Sequence, residues 1–174
     1  MEPGRRSFLR GALLTEEGRE RTVRQSKPLG PLPPGMAGRL TADTCGDCEQ
    51  YCVSACPQRI VGIHPEDHRL AGLPYLDFTQ SGCTFCGDCS AACPVDIPVL
   101  SLAEPLGSAR VAQARCLAWN NVICMSCISA CRLDALSMDR QRRPTVDADG
   151  CTGCGFCVAR CPVQALHIEA GGGA

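Results

Sequence analysis

Aromatic residues are scarce in this sequence: Phe, Trp and Tyr make up only 4% of its 174 residues. A chain with so few large apolar side chains buries little apolar surface per residue, and small domains of this kind are held together by disulfides or by metal. Long apolar runs are also missing, since no stretch approaches the ~18 residues that are needed to cross a bilayer. The sequence therefore predicts a soluble protein with no transmembrane segment.

Signatures of an active site are missing as well. The sequence contains no pattern typical of a catalytic triad, a substrate pocket or a nucleotide-binding loop, so it predicts that the protein is not an enzyme. Histidine occurs only three times, and His64, His68 and His167 all lie outside the cysteine-rich segments. We expect these histidines to be exposed or structural rather than metal ligands.

Cysteine, in contrast, is abundant, and the sixteen residues fall into four groups. The second group reads Cys83-Thr-Phe-Cys86-Gly-Asp-Cys89-Ser-Ala-Ala-Cys93-Pro94, and the fourth reads Cys151-Thr-Gly-Cys154-Gly-Phe-Cys157-Val-Ala-Arg-Cys161-Pro162. Both have the spacing C-x2-C-x2-C-x3-C-P, which is the bacterial signature of a [4Fe–4S] cluster. The first three thiolates can surround one cluster, and in two-cluster ferredoxins the fourth ligates the other cluster.

The first and third groups depart from this spacing. The first consists of Cys45, Cys48, Cys52 and Cys56, with one extra residue before the third cysteine. The third contains Cys124, Cys127 and Cys131, while seven residues separate Cys116 from Cys124 and Arg132 replaces the closing proline. Cys116 could be a buried free thiol in a group that binds nothing, but sixteen cysteines make four full ligand sets only if it takes part. We therefore expect three [4Fe–4S] clusters and predict a fourth.

Disulfide bonds and structural zinc are the two other common uses of so many cysteines. A disulfide scaffold needs an oxidising compartment, and nothing in it requires a repeated C-x2-C-x2-C-x3-C-P pattern. Zinc sites usually combine two separated C-x2-C pairs or include histidine. The repeated spacing favours iron–sulfur over both.

The charge of the chain bears on its partners. The formal net charge of −1 counts every cysteine as neutral. A [4Fe–4S] cluster with its four thiolates carries about −2, so the loaded protein would be clearly acidic. This argues against nucleic acid as the main partner and favours redox proteins.

Residues 1–40 differ in composition from the rest, because they hold no cysteine and eight of the seventeen basic residues. The segment Arg5-Arg6-Ser-Phe-Leu-Arg-Gly11 is similar to the core of a twin-arginine export signal, but the apolar stretch that follows is only Ala12-Leu13-Leu14. We therefore predict a non-cleaved, cytoplasmic basic arm, which either docks a partner or is an ordinary basic tail. The Pro- and Gly-rich run at residues 28–35 predicts an extended linker.

Local patterns predict only short secondary-structure elements. Strands are expected at residues 60–64, 75–78, 136–138, 143–146 and 165–169, next to the cysteine groups. A short helical stretch is expected near residues 110–115. The resulting fold class is α+β, with small elements around the cysteine groups.

The order and irregularities of the cysteine groups resemble those of polyferredoxins, and more narrowly those of the NapF family of ferredoxin-type proteins in periplasmic nitrate reductase systems. The shared features are the early Arg5-Arg6 segment, the expanded first group, the two regular motifs, and Cys116-Leu-Ala-Trp119 followed by the Cys124 group. The resemblance implies a cytoplasmic iron–sulfur protein that acts on the catalytic molybdoenzyme subunit before export. Its role would be maturation of that subunit or electron supply to it.

We therefore predict two tandem bacterial dicluster-ferredoxin-like units, at residues 41–105 and 106–170, behind the basic arm of residues 1–40. Crossing of the fourth cysteines, which is general in such folds, gives the ligand sets. They are Cys45, Cys48, Cys52 and Cys93; Cys83, Cys86, Cys89 and Cys56; Cys151, Cys154, Cys157 and Cys131; and Cys124, Cys127, Cys161 and Cys116. The alternative function is a general electron-transfer ferredoxin or a relay subunit of another oxidoreductase complex.

Overall fold

The computed structural model of the chain describes residues 27–46, 48–98 and 104–170. Its elements are short and alternate along the chain. In order they are α1 (Ala42–Gly46), α2 (Tyr51–Ala55), β1 (Val61–Ile63), β2 (Pro74–Leu76), α3 (Asp88–Ala91), β3 (Gly107–Val111), a 3-10 helix (Ala118–Asn120), α4 (Ser126–Ala130), β4 (Leu136–Met138), β5 (Pro144–Val146), α5 (Phe156–Ala159) and β6 (Leu166–Ala170). Within the described ranges, no helix has the length and apolar character needed to span a membrane.

Four of the five α-helices carry the third cysteine of a group, and each is about one turn long. In the two regular groups the helix begins after a glycine in the left-handed region, with φ of 82° at Gly87 before α3 and 79° at Gly155 before α5. Glycine takes this conformation without the strain that a Cβ would add. In the expanded first group, Gln50 takes the same place before α2 at φ 56°. The chain can therefore turn sharply from a cysteine loop into a helix.

Three antiparallel strand pairs hold the cysteine loops. β1 pairs with β2, with Gly62 opposite Tyr75. β4 pairs with β5, and β3 pairs with β6 over five residues. The strands predicted at residues 60–64, 75–78, 136–138, 143–146 and 165–169 are thus confirmed, with small shifts at their ends.

The helix predicted near residues 110–115 is wrong. Gly107–Val111 is a strand, and the residues after it form a turn in which the N–H of Arg115 donates to the carbonyl of Ala112 at 3.0 Å. The cause is a distant partner: β3 pairs with β6, and Arg110 Nε lies 2.7 Å from Glu169 Oε2 across this pair. Local helix propensity is weak compared with such tertiary pairing.

The Pro-rich run has neither helix nor strand, turns at Pro34–Gly35, where the N–H of Met36 donates to the carbonyl of Pro33 at 3.1 Å, and is partly buried. The carbonyl of Pro31 accepts the N–H of Leu76 at 2.8 Å, and the carbonyl of Pro34 accepts the Ser90 hydroxyl at 2.7 Å. Met36 is fully buried in the same core as Leu76. This run therefore packs against the first cysteine unit, which its composition did not indicate. Residues 1–26 of the predicted arm lie outside the described residues, and the unit boundaries at residues 40 and 105 stay predictions.

Two buried histidines form hydrogen bonds with the backbone at the start of this run. His64 and His68 stack with ring centroids 4.5 Å apart. His64 Nδ1 donates to the carbonyl of Leu73 at 2.8 Å, and its Nε2 accepts the N–H of Leu29 at 3.3 Å. His68 Nε2 donates to the carbonyl of Lys27 at 2.8 Å. Both roles are structural, and His167 is exposed on β6.

We expect acidification to lower the free energy of unfolding through His64. Burial lowers the pKa of His64, a hydrogen bond to the Leu73 carbonyl acts against this, and His68 lowers it further. Above the unfolded pKa of about 6.5, both states are neutral and the free energy of unfolding does not depend on this group. Below it the unfolded state takes up a proton that the folded state resists, so the free energy of unfolding falls until the lowered folded pKa is reached.

The measurement is the urea midpoint of the wild type and of His64→Gln on both sides of pH 6.5. The wild type should lose stability on acidification more steeply than His64→Gln does. His167→Gln removes an exposed histidine and should keep the wild-type slope. Equal slopes in all three proteins would contradict the prediction.

Candidate metal centres

All sixteen cysteines are within the described residues, and all are free thiols. The disulfide alternative is therefore not what the structure shows. The thiols gather in four quartets, which we name A, B, C and D. Quartets A and B take most of their cysteines from the first and second groups, quartet D from the third group and quartet C from the fourth. Each quartet takes cysteines from two groups.

Quartet A consists of Cys45, Cys48, Cys52 and Cys93, which together line one apolar cavity. Met36, Leu40 and Ile63 complete the cavity wall. The pKa of Cys52 is raised to about 11, mainly by burial and then by the thiolate of Cys93. The last cysteine of the second group thus lies with three cysteines of the first.

Quartet B consists of Cys56, Cys83, Cys86 and Cys89. The pKa of Cys83 is raised to about 11: burial is the main cause, the N–H of Phe85 acts against it, and the thiolates of Cys89, Cys86 and Cys56 act with it. Burial also raises the pKa of Cys89, and Cys56 and Cys86 add to this rise. The last cysteine of the first group therefore lies with the second group.

Quartet C consists of Cys131, Cys151, Cys154 and Cys157, which line a second apolar cavity. The pKa of Cys157 is raised to about 12, first by burial and then by neighbouring thiolates. The side chain of Thr152 lines the same cavity, and its hydroxyl is buried without a hydrogen-bond partner. An unpartnered buried hydroxyl fits a site whose missing neighbour is an acceptor, such as the sulfur of a cluster.

Quartet D consists of Cys116, Cys124, Cys127 and Cys161. The pKa of Cys127 is raised to about 11; burial is the main cause, backbone N–H groups act against it, and the Cys116 and Cys124 thiolates act with it. Cys116 is buried, and Cys124 and Cys161 pack against the same small core. The structure thus places Cys116 with the third group, despite the seven residues between it and Cys124.

Structural zinc fits these quartets poorly. Within the described ranges, no three His, Cys, Asp or Glu side chains converge as ligands of one metal ion do. A tetrahedral zinc site brings its thiolates to about 2.3 Å from a single ion, whereas a [4Fe–4S] cubane binds its four thiolates on four separate irons. Four thiols in each quartet match the four irons of a cubane.

Backbone N–H groups point at several of the sulfurs. Phe85 N donates to Cys83 Sγ at 3.4 Å, and Ala109 N donates to Cys151 Sγ at 3.4 Å. Ala165 N donates to Cys161 Sγ at 3.2 Å. Such donors stabilise the thiolate form that binds metal, so the backbone complements the charge of a loaded site.

Contacts link each quartet to a neighbouring one. The thiolate of Cys89 in quartet B is close enough to raise the pKa of Cys52 in quartet A. The thiolate of Cys127 in quartet D does the same to Cys157 in quartet C. The two units meet between B and C, where the N–H of Cys83 donates to the carbonyl of Cys154 at 2.7 Å. These contacts link A to B, B to C and C to D, and Thr79 of the first unit also lines a surface groove with Cys161 of quartet D.

Two aromatic rings close the contact between the units. A Cβ added at Gly155 would lie 2.2 Å from the ring of Phe78, and one at Gly82 would lie 2.6 Å from the ring of Phe156. Each ring of one unit thus covers a glycine of the other. The guanidinium of Arg132 stacks on the Phe156 ring at 4.7 Å. The sequence showed Arg132 only as a departure from proline, and nothing in its spacing indicated this contact.

Comparison with known proteins agrees with the paired units. Two family models, both described as a 4Fe-4S dicluster domain, match residues 44–97 and 109–168. The chain is 30% identical to the ferredoxin-type protein NapF of Escherichia coli K12, over 72% of this chain and 75% of NapF. It is also 30% identical to the ferredoxin-type protein NapG of the same organism, over 95% of this chain and 84% of NapG.

A third relative is the methylamine utilization ferredoxin-type protein MauM of Paracoccus denitrificans, which is 32% identical over 80% of this chain and 67% of MauM. NapF, NapG and MauM thus match at the same level, so the resemblance to NapF is one of several and does not single out that protein. All three are named as ferredoxin-type proteins. The two domain matches of this chain indicate that it holds several [4Fe–4S] clusters. The chain therefore belongs to the ferredoxin-type iron–sulfur proteins, the family of electron-transfer proteins that includes NapF, NapG and MauM.

Proposed function

We propose that the sixteen cysteines hold four [4Fe–4S] clusters, one in each of the quartets A to D, and that the protein is an electron relay. The observation that carries this proposal is the contact between neighbouring quartets, with the loops of B and C joined by the hydrogen bond from Cys83 N to the Cys154 carbonyl. When bound, such clusters supply one-electron transfer without a substrate pocket. A relay needs neighbouring sites, which this arrangement provides.

The side chains and backbone of the chain bind the clusters and set their environment. The thiols bind the iron, and the N–H groups of Phe85, Ala109 and Ala165 donate to cysteine sulfurs. The apolar walls of the A and C cavities keep water away from the sulfurs, and burial and hydrogen bonding together set the reduction potential of such sites. The rings of Phe78 and Phe156 pack on Gly155 and Gly82, which adjoin Cys154 of quartet C and Cys83 of quartet B.

The partner that we propose is the catalytic molybdoenzyme subunit of a periplasmic nitrate reductase, to which the protein supplies electrons in the cytoplasm before export. Similarity to NapF and NapG supports this system. Sixteen reduced thiols also suit a reducing compartment. Similarity to MauM supports the alternative, in which the relay serves another oxidoreductase complex.

Iron and acid-labile sulfide analysis of anaerobically purified protein tests the proposal. Four clusters correspond to about sixteen irons per chain, and Cys116→Ala should reduce the iron to about twelve, because quartet D loses one ligand. EPR of the reduced protein should then lose one signal. A wild type that saturates near twelve irons, or a Cys116→Ala variant that keeps sixteen, would contradict the fourth cluster.

Single-turnover oxidation of the reduced protein by the catalytic subunit tests the partner. Failure to transfer electrons to this subunit, while another oxidoreductase is reduced, would favour the alternative.

A further inference from the structure

We propose that the segment between Cys116 and Cys124, together with the turn between β4 and β5, is the docking surface for an acidic one-electron carrier protein. The proposal rests on the proposed relay function and adds the place where a partner binds. We call this surface the docking face and define it by Val122, Ile123, Met125, Arg140 and Arg142. It lies against Cys124 of quartet D.

The first observation is that the extra segment is built as a rigid loop. The side-chain amide of Asn120 lies 2.8 Å from the carbonyl of Cys116 and 3.2 Å from those of Gln113 and Ala114. The N–H of Val122 donates to the carbonyl of Leu117 at 2.9 Å, across Asn121 in the left-handed region at φ 62°. A loop that is fixed before binding loses little conformational entropy when a partner docks.

The second observation is that the loop presents apolar side chains to solvent beside a cysteine. Ile123 is 84% exposed, Met125 is 54% exposed and Val122 is 50% exposed. They flank Cys124 in the chain and line one surface groove with it. Half of the six exposed large apolar side chains among the described residues thus fall within four positions. Clustered exposed apolar side chains with a polar rim are typical of protein interaction sites.

The third observation is the charge at the rim. Arg142 lines the same groove, and Arg140 lies exposed in the same turn. The carboxylate of Asp139 is engaged inside this turn, where it accepts the N–H groups of Gln141 and Arg143. The one ion pair among the described residues joins Arg110 and Glu169, so the charges of Arg140 and Arg142 are not neutralised by an ion pair within this part of the chain.

The charge distribution over the chain points the same way. Residues 104–170 contain seven arginines and six carboxylates, whereas residues 27–98 contain four basic and eight acidic side chains. Two clusters of about −2 in each unit make both units acidic, but the second remains less acidic than the first. An acidic partner is therefore repelled more strongly by the first unit, and Arg140 and Arg142 attract it to the rim of the docking face. Such complementarity sets orientation and association rate. This is why we commit to an acidic partner.

The position of Arg143 joins the two parts of the docking face. Its guanidinium stacks on the ring of Trp119 at 4.7 Å, so the turn between β4 and β5 is held against the extra loop. A partner seated on Ile123 would thus contact both parts at once. The docking face lies beside quartet D, where one electron can leave one protein as the other gains it, without any bond being made.

The test measures the dissociation constant for flavodoxin, a small acidic protein that exchanges single electrons through its flavin, with the iron-loaded protein at low and at high salt. Arg140→Glu/Arg142→Glu should weaken binding about tenfold or more at low salt and much less at high salt. Arg59→Glu/Arg69→Glu is the matched control, because it changes the net charge equally on exposed positions of the first unit. The dissociation constant of this control should equal that of the wild type, or exceed it only slightly and by the same factor at low and at high salt.

The apolar part is tested with Ile123→Gln, which should also weaken binding, and with Leu29→Gln as the matched exposed apolar site of the first unit. Equal weakening by the rim variant and its charge control, or wild-type affinity in both Arg140→Glu/Arg142→Glu and Ile123→Gln, would overturn the docking face. Iron content is measured on every variant. A protein without iron would refute the relay itself, whereas normal iron with unchanged affinity refutes only the docking face.

Discussion

Anaerobic removal of iron by a chelator is expected to unfold both cysteine units together. The hydrophobic clusters of the structure include the thiols themselves: Cys89 lies in the core of the first unit, and Cys127, Cys157 and Cys116 lie in those of the second. The three strand pairs of the described residues are built from strands of only three to five residues. A core of this kind has few apolar contacts left when its thiols lose their metal.

The expected size of the effect follows from a comparison of two free energies. Structural metal sites contribute on the order of 10 kcal/mol to folding, because the metal binds only the folded arrangement of ligands. A whole domain is stable by only about 5–15 kcal/mol. Loss of several such sites therefore exceeds the stability that the rest of the structure supplies.

Circular dichroism and limited proteolysis measure the outcome. Chelated protein should lose its far-ultraviolet signal and its protease resistance in parallel, while the same chelator saturated beforehand with iron should change neither. Iron-free protein that keeps the native proteolysis pattern would show that the polypeptide folds without its metal, and the argument from the sparse core would fail.

The cysteine spacing indicated much of this arrangement, because the chemistry of the ligands is local. The loops at Cys83 and Cys151 have three cysteines within seven residues, and their short helices follow from glycine at 87 and 155. The crossing of the fourth cysteines is general for two-cluster folds, and the structure groups the thiols in the same four sets. Their role as ligands stays a prediction that iron analysis tests.

What the sequence could not indicate depends on contacts between distant residues. The segment at 110–115 has residues that favour a helix, yet its first two residues belong to β3, which pairs with β6 more than fifty residues later in the chain. The run at 31–36 has the composition of a linker, yet its carbonyls accept hydrogen bonds from Leu76 and Ser90. Neither partner can be identified from local composition, because the hydrogen bonds form only when the units are assembled.

Substitution of Gly155 by alanine is expected to be among the most damaging single changes to the protein. Gly155 has φ of 79°, which costs an alanine about 1–2 kcal/mol. The added Cβ would also lie 2.2 Å from the ring of Phe78, which is itself buried against the core of the first unit. Overpacking of this kind costs about 1–3 kcal/mol more, so the total is about 2–5 kcal/mol.

Gly72→Ala is the matched control, because Gly72 has φ of 80° but nothing lies within 4 Å of its added Cβ. It should show the conformational cost alone, so the difference between the two variants reports the contact between the units. Phe78→Ala makes room at the other side of the contact, and in this background Gly155→Ala should be much less harmful than in the wild type. The measurement is the urea midpoint of the iron-loaded wild type, the three single variants and the Phe78→Ala/Gly155→Ala double variant, together with the loss of their visible absorbance. If Gly155→Ala and Gly72→Ala are equally destabilised, or if Phe78→Ala brings no relief, then the two units are not held together by this ring and glycine.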